Sequence, residues 1–498
     1  MFSPSLEEVI KIGNNKEYKR IPVSYELFSD IATPIEVLRI LKGISNHCYM
    51  LESVEDSKKW GRYTFLGFNP LLEVTCQNGI VKIRGDENFN ELNDDEVTFQ
   101  TDKPDEIIKD LVLKNRSPKF KDLPPFTGGF VGYFAYDYIK YQEPSLNLDA
   151  KNEDQFKDID LMLFDKVIAF DNFKQKIIII VNIKTDDLKN NYKKACSQLK
   201  EIADLIKNGE KTYIKPLELK SEFKPTFSRE KFCSMVEKAK DHIREGDIFQ
   251  VVLSNRIEAD ISGSLFDTYR VLRTTNPSPY MFYFSSNDIE IAGASPETLV
   301  KLTDRKLYTF PLAGTRPRGK TDKEDHELEH EVLSDEKELA EHNMLVDLGR
   351  NDIGRISEIG SVKVDKYLSI ERFSHVMHIG STVSGTLRSD LDSIEAINSI
   401  LPAGTLSGAP KIRACEIIND LEDNKRGIYG GAIGYVDLSG NIDTCISIRI
   451  AFARNNKVFI RSGAGIVADS VPETEFEECL NKAAAVIDAL KIANGGLE

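Results

Sequence analysis

Residues 427–466 read GIYGGAIGYVDLSGNIDTCISIRIAFARNNKVFIRSGAGI. Strand-forming residues, among them a strand expected from Cys445 to Phe452, lie between two Gly-rich turns, Gly427-Ile428-Tyr429-Gly430-Gly431 and Ser462-Gly463-Ala464-Gly465. A parallel sheet would need a helical crossover between successive strands, and no such regular βαβ unit is written here. The expected fold is therefore α+β, a large mixed or antiparallel β-sandwich flanked by helices, and not a doubly wound sheet.

Upstream, a helix is expected from Ser228 to Gly246, followed by a strand from Ile248 to Ile257. Ser228 suits an N-cap, but Lys231 at its third position leaves the capping box incomplete. An acidic helical tract runs from Asp325 to Leu348, and a last helix from Glu473 to Ile492. The stretch from Lys215-Pro216 to Pro225-Thr226, alternating Lys with Glu, reads as a linker and divides the chain into regions 1–215 and 226–490. In the first region strands are expected at Gly61 to Leu66 and Val131 to Tyr138, with a hairpin joining Lys166–Phe170 to Ile177–Val181. Helices are expected from Pro104 to Asn115 and from Asp187 to Asn208.

The 498-residue chain has a formal net charge of −15, which argues against nucleic acid and anionic membranes as partners. An anionic substrate would need a locally basic pocket. Seven cysteines without a C-x-x-C pair fit reduced thiols in a cytoplasm better than a disulfide framework or zinc site. The charged N-terminus has no apolar signal segment, and the most aliphatic run, Ile177-Ile178-Ile179-Ile180-Val181, is far too short to span a bilayer.

Two tracts carry paired carboxylates on expected helices, Glu338-x-x-Glu341-His342 and Glu475-x-x-Glu478. A spacing of three puts both carboxylates of a tract on one helix face. Such pairs are ordinarily solvated; facing each other, they would need a cation, and all-oxygen ligands favour Mg²⁺. A third Gly-rich tract, Gly404-Thr405-Leu406-Ser407-Gly408-Ala409-Pro410-Lys411, adds backbone N–H groups able to hold an anion, although its spacing is not that of a P-loop. Arg449 offers bidentate recognition of a carboxylate.

These pieces, with Pro311-Leu312-Ala313-Gly314-Thr315-Arg316-Pro317, the run Glu341 to Asp352, Val376-Met377-His378 and GAGIVADS before Glu475, resemble the chorismate-utilising enzymes. The likeness is greatest to their component I (large) subunits that make anthranilate. It reaches the first region through Leu51-Glu52-Ser53 and the run Pro125 to Tyr133. The resemblance implies Mg²⁺ between Glu341 and Glu478, with Glu338 and Glu475 outside them and Lys482 nearby. It implies that Arg449, Tyr429 and the backbone at Gly463 and Gly465 hold the enolpyruvyl carboxylate, with Gln250 also in the substrate site. Glu297 matches the general acid for the departing hydroxyl, and His378 and Thr405 match residues at the ring. Ala313 and Gln250 stand where other branches carry a nucleophilic or basic Lys, so the resemblance points to direct addition of ammonia and then loss of pyruvate.

Leu51, Glu52 and Ser53, with Asn276, Pro279, Tyr280 and Met281, resemble the family's tryptophan feedback site. The chain has no Gly-x-Cys-x-Gly tract, so ammonia from glutamine is expected from a separate amidotransferase subunit (component II), in a hetero-oligomer. Two rival expectations are an enzyme that stops at 2-amino-2-deoxyisochorismate and a non-catalytic tryptophan-binding regulator.

Overall fold

The run Ile177 to Val181 shows how the chain is layered. It lies in the strand Lys176–Lys184, where Ile177, Ile179 and Val181 pack under helices while Ile178 and Ile180 face a second sheet. Successive side chains of a strand point to opposite faces, so a strand covered on both sides is apolar throughout. Each such side chain contributes roughly 1.5–3 kcal/mol by leaving water. The computed structural model describes residues 2–53, 61–85, 96–372 and 376–497.

Among these residues two sheets, of 14 and 12 strands, stack face to face with antiparallel pairing throughout. Phe65, Phe282, Ile291, Phe452 and Phe459 of the larger sheet meet Val131, Tyr133, Met162, Ile433 and Cys445 of the smaller one in the core between them. Helices Leu6–Gly13, Pro34–Lys42, Leu188–Asn208, Phe266–Thr275 and Pro472–Ala493 cover the outer face of the larger sheet. Helices Pro104–Lys114, Glu336–Gly354 and Ser393–Ile400 cover that of the smaller. The α+β sandwich read from the sequence is the observed fold. No helix is long and apolar enough to cross a membrane among the described residues, and all seven cysteines are free thiols.

Both regions of the chain contribute to both sheets. Strand Cys48–Glu52 pairs with Tyr280–Ser285, and Gly129–Phe134 with Ala432–Asp437. The linker stretch is docked on the sandwich: Glu218–Leu219 and Lys224–Pro225 pair with the edge of Gln250–Ser262.

Three expected elements differ. The strand expected from Val131 to Tyr138 ends at Phe134, and Tyr136–Tyr141 turns into a 3₁₀-helix. The acidic tract is two helices, Asp322–Ser334 and Glu336–Gly354, parted at Asp335, whose carboxylate accepts from the N–H groups of Lys337 and Glu338. An N-cap of this kind satisfies the orphan donors of a helix start, so an acidic residue can open a new helix inside an acidic run. Third, Cys445 to Phe452 is not one strand: Ile442–Ile446 belongs to the smaller sheet and Ile450–Arg454 to the larger.

Candidate active site

That crossing places Arg449. Between Ile446 and Ile450 the chain leaves one sheet for the other, and Arg449 takes φ +52°. A left-handed backbone at a non-Gly residue costs about 1–3 kcal/mol and persists only where its surroundings impose it. A second crossing lies alongside, where Glu290–Ser295 of the larger sheet continues through Pro296 and Glu297 into Thr298–Thr303 of the smaller. The two crossings are tied together: the Ile446 N–H donates to the Glu297 carbonyl at 2.9 Å, Ser295 Oγ to the Ile446 carbonyl at 2.6 Å, and the Ala294 N–H to the Arg449 carbonyl at 3.2 Å. Glu297 and Arg449 therefore share the corner where the sheets exchange strands.

The Gly-rich tracts close around this corner. The Gly430 N–H donates to the Ser447 carbonyl and the Ser447 N–H to the Gly431 carbonyl, both at 2.9 Å, which sets Tyr429 beside the Arg449 crossing. Gly408–Ala409 pairs with Gln250 and Val251, and Gly463 and Gly465 stand opposite Ser254 and Val252 on the same strand. A Cβ at Gly463 would lie 2.7 Å from the Leu253 carbonyl oxygen and 3.1 Å from the Tyr429 hydroxyl. Only glycine allows these strands and Tyr429 to approach so closely.

Thr405 Oγ1 donates to Glu297 Oε1 at 3.1 Å. Burial raises the Glu297 carboxyl to about 7, against the pull of that hydrogen bond and of the charges of Arg449 and Lys482. Near neutral pH it is thus divided between acid and carboxylate, the condition a general acid requires. His378, on the strand Val376–Thr386 that pairs with both Leu312–Pro317 and Lys363–Arg372, is lowered to about 4, chiefly by burial and next by the Arg449 charge, while a hydrogen bond with the Gly314 backbone opposes the shift. Its imidazole is neutral at physiological pH and able to accept a proton. Glu297 and Thr405 also line a cavity under the Glu336–Gly354 helix with Thr309, Pro311 and Leu348.

Across the cleft, helices Glu336–Gly354 and Pro472–Ala493 present the carboxylates. Burial raises Glu341, followed by the negative charges of Glu338 and Glu478; Glu475 is likewise raised by burial and by Glu478. Lys482 Nζ bridges Glu478 Oε1 at 2.6 Å and the Gly463 carbonyl at 3.1 Å, and Arg316 reaches Glu338 at 3.4 Å. No three of the four carboxylates come within 4.8 Å of one another; among the described residues only His242, Glu245 and Asp247 do so, and there Arg413 takes Asp247 at 2.6 Å. The cleft fits a hard divalent cation nonetheless, because Glu341 and Glu478 repel across it and offer only oxygen. Two protein carboxylates with remaining positions for substrate and water is a usual arrangement for Mg²⁺. His342, next to Glu341, is fully buried and bonded to Ser381 Oγ at 2.7 Å, so it belongs to the core.

The residues expected from the sequence to form a feedback site lie elsewhere, and several of them come together. Leu51 and Glu52 stand opposite Phe282 and Met281 on adjacent strands. Glu52 is held by the Tyr269 hydroxyl at 2.5 Å and by Arg273 Nη2 at 3.0 Å, and the buried Asn276 Nδ2 has no hydrogen-bond partner among the described residues. The Tyr280 hydroxyl donates to Asp443 Oδ1 at 2.8 Å and lies 2.9 Å from Thr298 Oγ1, next along the chain to Glu297.

Sequence reasoning missed an ion pair and a buried triad that shape the cleft. Lys411 turns away from any anion to Asp352 at 2.9 Å and to the Ile400 carbonyl at 3.0 Å. Glu422, Arg426 and Arg461 form a buried triad behind the Gly-rich tracts. Glu422 and Arg426 are only four residues apart, but Lys411 and Asp352, and Glu422 and Arg461, are far apart in sequence, and no local motif announces those pairings.

Residues 47–488 match the family of chorismate binding enzymes. The chain is 46% identical to anthranilate synthase component 1 of Acetivibrio thermocellus, covering 99% of each. The crystal structure of anthranilate synthase component I from Streptococcus pneumoniae superposes with a TM-score of 0.74 at 37% identity, over 92% of this chain and 98% of that one. The menaquinone-specific isochorismate synthase of Escherichia coli shares the fold, with a TM-score of 0.68 at 20% identity over 97% and 98% of the two chains.

Proposed function

The chain belongs to the chorismate-binding enzymes, and we propose that it is the lyase that converts chorismate and ammonia to anthranilate, pyruvate and water by way of 2-amino-2-deoxyisochorismate, opening tryptophan synthesis. One observation carries the reading: a carboxyl group titrating at about 7, Glu297, is held by Thr405 beside Arg449. Gln250 and Ala313, the positions where a Lys would direct other chemistry, offer neither base nor nucleophile. Arg449 takes the enolpyruvyl carboxylate through its planar fork, flanked by Tyr429 and the Gly463–Gly465 backbone. Glu297 protonates the C4 hydroxyl as it leaves and ammonia adds at C2. His378, neutral beside Arg449, then takes the C2 proton as pyruvate departs from C3. A Mg²⁺ held by Glu341 and Glu478, with Glu338 and Glu475 around them, would supply positive charge for the ring carboxylate.

Purified chain, chorismate, Mg²⁺ and ammonium should yield fluorescent anthranilate and pyruvate, the rate rising with pH as more ammonia is unprotonated until Glu297 loses its proton above about 7. A non-aromatic amino product without pyruvate would replace the reading by an amination-only enzyme; no consumption of chorismate would replace it by a binding protein. His378→Ala should still consume chorismate and accumulate the amino intermediate, with anthranilate slowed by about 10²–10⁴-fold. Equal slowing of both steps would reduce His378 to positioning substrate. Glutamine alone should support no turnover, because the sequence lacks an amidotransferase nucleophile and the relatives are named as a component 1. A cytoplasmic amidotransferase subunit completes the enzyme in this reading.

Tryptophan inhibition belongs to the same reading. Asn276 has an unused buried amide, and Tyr280 runs by hydrogen bonds to Thr298, the neighbour of Glu297. A ligand that moves the Cys48–Glu52 strand against Tyr280 would thus bias the corner carrying the acid. Glu52, already engaged by Tyr269 and Arg273, holds that strand to the Phe266–Thr275 helix.

A further inference from the structure

Behind the cleft lies a cluster of charge that the proposed chemistry does not use. The side chains of Glu422, Arg426 and Arg461 are each 1% exposed. Glu422 Oε1 accepts from Arg426 Nη2 at 2.6 Å and from the N–H and Oγ of Ser254 at 2.8 and 2.9 Å; Oε2 accepts from Arg461 Nη2 at 2.6 Å and Arg426 Nε at 3.0 Å. The two arginines then reach the backbone of the site. Arg426 donates to the carbonyls of Leu406 at 2.6 Å and Val252 at 2.7 Å, and Arg461 to Ser254 Oγ at 2.7 Å and the Lys425 carbonyl at 3.1 Å. Leu406 lies in the Gly404–Lys411 tract, Arg426 directly precedes the Gly427–Gly431 tract, Arg461 directly precedes the Ser462–Gly465 tract, and Val252 stands opposite Gly465. The Arg426 guanidinium lies 4.5 Å from the Tyr136 ring centre and 5.9 Å from that of Tyr429.

The charges do not balance. Two guanidinium groups, which stay protonated in proteins, face one carboxylate. The next cation, Arg256, is paired with Asp154 and Glu258, and Asp137 beside Gly427 is met by Lys425 and Lys140. A buried ion cluster is at best neutral for stability against well-packed apolar residues, and an excess charge makes it worse. Something other than stability favours a positive excess here.

We propose that Glu422, Arg426 and Arg461 are positioning residues of the cleft, clamping its three Gly-rich tracts in one arrangement and setting one uncompensated positive charge behind the seat of a dianionic substrate. The charge rests on chorismate being that substrate; the clamp does not.

Arg461→Gln and Arg461→Lys test the two parts. In Arg461→Gln the KM for chorismate should rise about tenfold or more with kcat within about threefold, whereas Arg461→Lys, which keeps the charge, should stay within about threefold in both. Hydrogen exchange of the ligand-free protein should quicken by about tenfold or more at 404–411 and 462–467 in Arg461→Gln and remain unchanged in the distant strand Lys166–Asp171. Unchanged exchange overturns the clamp. Equal KM increases in the Gln and Lys variants, or none in Arg461→Gln, overturn the charge. Should Arg461→Gln fail to fold, Ser254→Ala removes the shared hydroxyl and keeps every charge; unchanged exchange in that variant overturns the clamp as well. If the unaltered chain consumes no chorismate, the assigned activity and the charge argument fall with it, and the exchange result alone decides the clamp.

Discussion

The carboxylates of the cleft and the triad behind it are both charged clusters anchored on helices, yet they are built in opposite ways. Glu341 and Glu478 lie across an open cleft and repel one another, with Lys482 engaging one of the two. Glu422 is wholly enclosed, and five donors from Ser254, Arg426 and Arg461 saturate its two oxygens. Burial raises Glu341, whereas the two arginines hold Glu422 below the usual carboxylate range despite its burial. A cluster satisfied by its own protein shapes the structure; a cluster left in mutual repulsion awaits a ligand.

The comparison can be broken in order of expected effect. Glu341→Gln or Glu478→Gln should lower turnover by about 10³-fold or more, the several kcal/mol that charge stabilisation by a metal supplies. Thermal stability should hold or rise, because repulsion is relieved. Full activity of either variant in excess EDTA would place the cation elsewhere. Glu422→Gln should do the reverse to stability, leaving two buried guanidinium groups without a counter-ion and lowering it by about 3–5 kcal/mol. A denaturation midpoint equal to that of the unaltered protein would show that the triad is not a coupled unit.

Glu297 sits between the two types, buried with only partial compensation. Its folded value of about 7 exceeds the ordinary 4.5, so the fold favours its protonated form. The sign follows: its stabilising effect is complete at low pH and is lost as pH rises from about 4.5 through about 7. kcat/KM corrected for free ammonia should decline by about tenfold per pH unit above that point, and a flat profile would remove Glu297 as the acid. The smallest effect is expected outside both clusters. Ser53→Leu should weaken tryptophan inhibition by about fivefold or more with little loss of turnover; unchanged sensitivity would count against the Leu51–Ser53 site.

Much of this was legible in the chain. Ser228 caps the helix it is expected to cap, its Oγ accepting from the Lys231 N–H, and the helix expected from Asp187 begins there, with Asp187 as its N-cap accepting from the Asn190 N–H. The Glu-x-x-Glu tracts do lie on helices. These features are local, set by spacing, caps and period within a few residues. Asp335, by contrast, was read as one more acid in a helical run, because a residue's use as a cap depends on the backbone around it.

What sequence alone determined here is the inventory: which residues could titrate, ligate or turn, and that antiparallel layers and not βαβ units would hold them. Tertiary structure alone decided where those residues meet. The break after Ile446 that puts Arg449 at φ +52°, the pairing of Met281 with Glu52 across more than two hundred residues, and the joining of Glu422 to Ser254 and Arg461 all arise from strand register and sheet crossing. Register is fixed by which faces are buried over the whole sandwich, and that is a property no single segment carries.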